Sequence, residues 1–62
     1  EVTSEQLDRT QKELVAMMKE LKNDSYFQTE LDKAAVQSSL SKRMAAYKDL
    51  TVRLLSVLEI QA

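Results

Sequence analysis

Leu7, Leu14, Met18 and Leu21 recur at the spacing of one helix face, with Thr10, Gln11 and Met17 beside them, and Asp8, Arg9, Lys12, Glu13, Lys19 and Glu20 fill the remaining circumference. This pattern predicts an amphipathic helix over residues 4–22. Its start is signalled by the opening residues. Thr3 is placed as N-cap with Gln6 at the third helical position, the spacing of a capping box, and Val2 and Leu7 are placed to form a hydrophobic staple around it. Glu5 to Arg9 and Asp8 to Lys12 are acid-first pairs one turn apart, each worth about 0.2–0.5 kcal/mol on an exposed helix.

Carried forward by heptads, the register of Leu7, Leu14 and Leu21 lands on Gln28, Ala35 and Lys42, whereas the strong downstream positions are Leu40, Tyr47 and Leu54. A seam that loses phase in this way does not continue as a straight coiled coil. Asn23, Asp24 and Ser25 lie where the phase is lost, and their side chains bond readily to nearby backbone. Ser25 with Gln28 forms a second candidate capping box, and Asp24 is an alternative cap one residue earlier. A turn is therefore expected at residues 23–25. The competing reading is a continuous helix with polar surface residues in its middle.

A second helix is expected over residues 26–60, roughly 52 Å long against roughly 28 Å for the first. It carries two apolar stripes. One is small, with Phe27, Leu31, Ala34, Ser38, Ser41 and Ala45; the other is large, with Val36, Leu40, Met44, Tyr47, Leu50, Leu54 and Leu58. The predicted fold class is thus all-α: an antiparallel helical hairpin over residues 1–62, with a short first and a long second helix, completing a bundle or coiled coil with another chain. The shorter arm leaves most of the apolar face from Tyr47 to Ile60 without an intrachain partner. Val36, Leu40, Met44, Tyr47, Leu50, Leu54, Val57 and Leu58 are accordingly the expected partner-binding residues, with Tyr47 as the aromatic anchor. An alternative breaks the second helix at Gln37, Ser38 and Ser39 to give a three-helix bundle that buries these residues internally. Against that break stand the lack of glycine or proline, the lack of a convincing capping box, and the shortness of the connection.

Composition narrows the functional classes. The chain has 62 residues, a size at which a lone core is marginal and self-association often supplements it. Cysteine and histidine are both absent, so disulfides and the usual zinc sites are excluded. Interspersed charges with a formal net value of −1 produce no field that would steer the protein to nucleic acid or anionic lipid. Lys42, Arg43, Lys48 and Arg53 make the C-terminal half more basic, but they do not stack on one face and Asp49 interrupts them. Asp49 to Arg53 is better taken as a further surface pair. Apolar runs are far shorter than the roughly 20 residues of a membrane span, and no signal-peptide pattern opens the chain, so a cytoplasmic location is expected.

Catalytic chemistry has little to rest on. Carboxylates, lysines, serines and tyrosines form no recognisable constellation, and phosphate-cradling glycine loops are excluded by the absence of glycine. Glu5 with Asp8 and Glu20 with Asp24 have spacings that could offer oxygens to a divalent ion, but no further ligands converge on either pair. No enzyme activity, cofactor, metal or small-molecule substrate is expected. Met17, Met18 and Met44 fit gap-filling between helices better than a plastic binding surface.

In size and shape the expected hairpin resembles small helical co-chaperones, such as those that hold type III secretion needle subunits, and the hairpins of tethering and trafficking complexes. No signature residues carry the likeness, and no functional residue is transferred from it. The expected function is that of a non-enzymatic protein–protein interaction module that self-associates through the apolar face of its C-terminal helix. The alternative is a hetero-partner module or small co-chaperone that receives an amphipathic helix of a client or complex subunit.

Overall fold

The computed structural model describes residues 1–61 as three helices: α1 (Ser4–Met18), α2 (Ser25–Ala35) and α3 (Leu40–Gln61). The all-α class expected from the pattern is observed. The long second helix is not: the stretch assigned to it is divided at residues 36–39, and the fold has three helices among the described residues where a two-helix hairpin was expected.

The first helix starts as the sequence dictates. The Thr3 side chain accepts from the Gln6 backbone N–H at 3.2 Å, and the Thr3 backbone N–H donates to Gln6 Oε1 at 3.0 Å, closing the capping box. Val2 packs against the core cluster that contains Leu7, as a staple requires. The helix ends at Met18, earlier than the expected residue 22. There the backbone tightens: Glu20 N–H donates to the Met17 carbonyl and Leu21 N–H to the Met18 carbonyl, three residues back, satisfying terminal carbonyls without a left-handed residue. Asn23 then organises the turn, its Oδ1 accepting from both the backbone N–H and the hydroxyl of Ser25 at 3.1 and 2.8 Å. Asp24 is the N-cap of α2, but its side chain makes no capping bond to the backbone. The candidate box from Ser25 to Gln28 does not form.

The second break has a cap of its own. Ser39 Oγ accepts from the Lys42 backbone N–H at 3.1 Å, and the Ser39 carbonyl accepts from the Arg43 N–H at 3.1 Å. The third helical position holds Lys42, so half of a capping box suffices. Arg43 Nε reaches back to the Gln37 carbonyl at 2.7 Å and clamps the connection. Residues 36–39 form a linker within the range of two to five residues that joins antiparallel helices, so the shortness of the connection is no obstacle. Energetically the break is favoured. An unbroken helix would leave Met44, Tyr47, Leu50 and Leu54 without a covering element in the same chain, and burial of each is worth roughly 1.5–3 kcal/mol. A few backbone bonds at about 0.5–1.5 kcal/mol each do not outweigh that. Ser39→Ala is expected to lower stability by about 1 kcal/mol in urea unfolding, whereas the exposed Ser38→Ala should have little effect. Equal effects of the two would remove the cap from this account.

Both shorter helices lie on α3. Val2, Gln6, Arg9 and Thr10 share a surface hollow with Met44 and Lys48, and the Lys22 N–H meets Gln61 Oε1 at 3.4 Å, so α1 runs parallel to α3. Glu30, Ala34 and Gln37 flank Ala46 and Leu50, while Tyr26 meets Arg53, so α2 runs antiparallel to it. Contacts between α1 and α2 are sparse beside those each makes with α3. The longest dimension, 35 Å, is that of α3 itself at about 1.5 Å per residue. One cluster of buried side chains joins Leu7, Leu14 and Met18 of α1, Phe27, Leu31 and Ala34 of α2, and Met44, Tyr47, Leu50 and Leu54 of α3. No buried side-chain nitrogen or oxygen among the described residues lacks a hydrogen-bond partner.

Candidate functional site

The expected partner-binding stripe is largely taken up by this core. Met44, Tyr47, Leu50 and Leu54 are buried, Leu54 completely, and Leu40, Val57 and Leu58 are half-buried against the same cluster. Val36 alone of that set is exposed, at 81 %, on the linker after α2. The physical reason is the break at residues 36–39. It reverses the chain, lays α3 between α1 and α2, and supplies intrachain cover to the face that a hairpin would leave open.

Exposed apolar side chains sit elsewhere on the same helix. Val52 is 64 % and Leu55 47 % exposed, and Ile60 projects from the last turn. At about 100° per residue, Val52 points well away from Leu54, the centre of the buried face. Lys48, Val52, Leu55 and Glu59 are all exposed and fall within roughly 60° of arc, forming a narrow stripe with one charge at each end. Ser41 and Ala45 prolong it towards the start of α3, and Ser56 lies beside it; none of these is bulky, so a helix laid along the stripe meets no obstruction from them. Neither α1 nor α2 shields Val52: α1 docks on the side of α3 that carries Met44 and Lys48, α2 on the side that carries Ala46 and Leu50, and Val52 lies between the two on the arc away from Leu54.

One flank of the stripe is rigidified by polar contacts. Arg53 pairs with Asp49 at 2.9 Å and donates to the Tyr26 hydroxyl at 3.0 Å, tying α3 to the first turn of α2. The Tyr26 ring in turn meets Phe27 edge-on, with centroids 5.2 Å apart. The expected Asp49 to Arg53 pair thus forms. Among the described residues the other ion pair joins Lys33 to Glu30 at 3.3 Å, and neither Glu5 with Arg9 nor Asp8 with Lys12 comes within bonding range. Lys48 and Glu59 enter no ion pair of the described chain, so both charged ends of the stripe are available to a partner.

No cluster of carboxylates among the described residues is placed to hold a metal ion. No helix of the described residues is long and apolar enough to cross a membrane. Met18 and Met44 are buried and Met17 half-buried, which places the methionines at the helix seams. No family model matches the chain, and neither the curated proteins nor the solved structures provide a match.

The periodicity alone assigns Val52 and Leu55 to no face. A signal was present. Apolar residues are spread around more of the circumference of α3 than of α1, and a helix with more apolar positions than one arc can bury has another surface to account for.

Proposed function

We propose that this chain is a non-enzymatic protein–protein interaction module that self-associates through the outward stripe of α3, centred on Val52 and Leu55. The observation that carries the reading is their exposure, 64 % and 47 %, one turn apart on the helix whose opposite face is the core. Isolated exposed apolar residues are ordinary. Adjacent ones on the central element of so small a bundle, framed by an unpaired cation and an unpaired anion of the described chain, have the make-up of a contact patch: apolar centre, polar rim. The surface for association proposed here lies on the same helix as the expected one, on its other side.

The test is the mass of the intact chain by sedimentation across a concentration series, beside Val52→Lys and Leu55→Lys. Association is expected to be weak, because a single helix stripe is smaller than a standard stable interface. Both substitutions should reduce it by at least about tenfold, the loss of one apolar contact of roughly 1.4 kcal/mol or more, while melting stays within about 0.5 kcal/mol of the parent. A parent chain that remains monomeric at every concentration would remove the self-association reading.

A further inference from the structure

We infer that α3 pairs with a second copy of itself in the antiparallel sense, about a two-fold axis passing over the point between Arg53 and Leu54. This inference rests on the self-association reading above and specifies its geometry. The argument is one of symmetry. Val52 lies as far before that point as Leu55 lies after it, and Lys48 lies as far before it as Glu59 lies after it. In a two-fold interface, if one residue meets a second across the axis, the second meets the first. The pairing therefore sets Val52 against the partner's Leu55 and Lys48 against the partner's Glu59, and then repeats both contacts in reverse.

Other arrangements of the same stripe are poorer. Parallel pairing in register sets Lys48 against the partner's Lys48 and Glu59 against the partner's Glu59, which is repulsive at both ends. An antiparallel axis over Val52 brings Asp49 against the partner's Leu55 and leaves Lys48 facing the partner's Ser56. An axis over Leu55 offers Val52 only the partner's Leu58, which is already half-buried in its own core. Among these arrangements, the axis between Arg53 and Leu54 alone satisfies the apolar centre and both charges together. Lys48 and Glu59 lie about 16 Å apart along the helix at about 1.5 Å per residue, so the two ion pairs bracket the apolar contact from either end. The small side chains of Ala45 and Ser56 leave room beside the stripe for the helices to approach.

Charge reversal tests the register with the full chain. The singles Lys48→Glu and Glu59→Lys each turn two symmetry-related attractions into repulsions, and should weaken association by about tenfold. The double variant carrying both changes restores opposite charges at both ends and should associate like the parent. Mixing the two single variants should give a heterodimer tighter than either homodimer, since one chain then presents only acids and the other only bases at these positions. All four positions of the stripe are exposed, so melting should be unchanged throughout. If the parent associates but the single variants match it, or the double variant is as weak as the singles, this register is wrong while self-association stands. If the parent does not associate, both fail together.

Discussion

Leu54→Asp is expected to abolish cooperative melting and to leave a chain with only residual helicity. Leu54 is completely buried where α1 and α2 meet α3, and no polar side chain is buried near it to receive a carboxylate. Placing an unpaired charge there is disfavoured by several kcal/mol, even after the group takes up a proton. The whole stability of a domain this small is only a few kcal/mol. Circular dichroism against temperature is the measurement, with Val52→Asp as the companion variant. The companion should melt as the parent does, because its carboxylate projects into water. A cooperative transition in Leu54→Asp at the parent's temperature would show that this residue is not central to the core.

Leu14→Ala is expected to remove about 2–5 kcal/mol, read as a shift of the urea midpoint. Leu14 is fully enclosed on α1, between Leu7 and Met18 on the buried face, and the sparse contact between α1 and α2 leaves little neighbouring material to collapse into the space. Ala16→Ser, on the exposed side of the same helix, should change stability by no more than about 0.5 kcal/mol. If Leu14→Ala and Ala16→Ser shift the midpoint equally, α1 is not docked through this face.

The parts of the fold legible in the sequence were those fixed by local chemistry. Thr3 and Gln6 announce the start of α1, and the recurrence of Leu7, Leu14 and Met18 names its buried face without reference to the rest of the chain. The break at residues 36–39 was legible as the alternative at Gln37, Ser38 and Ser39, where polar residues coincide with a change of phase between Leu31 with Ala34 and Leu40 with Met44. The two stripes expected on one helix belong to two: Phe27, Leu31 and Ala34 are the buried face of α2, and Met44, Tyr47, Leu50 and Leu54 that of α3. A change of phase can mean a second surface or a helix boundary. Deciding between them depends on whether reversal buries more apolar area than it sacrifices in backbone bonding, which is a tertiary quantity. Ser39 held the local clue, but a serine without glutamate or glutamine at the third position is a weak signal. The outward stripe was only faintly legible: the spread of apolar positions around α3 hints at a further surface, but Val52 and Leu55 are placed outward only once Leu54 is known to face inward.

The arrangement of α1 and α2 on α3, with little contact between them, also makes both shorter helices dependent on the third. Residues 1–39 on their own carry two apolar helix faces and lack the platform on which both are buried. Short helices in that situation are marginal in water. A peptide of residues 1–39 should therefore be readily cleaved by protease under conditions in which the whole chain, with Met44, Tyr47, Leu50 and Leu54 in place, resists it.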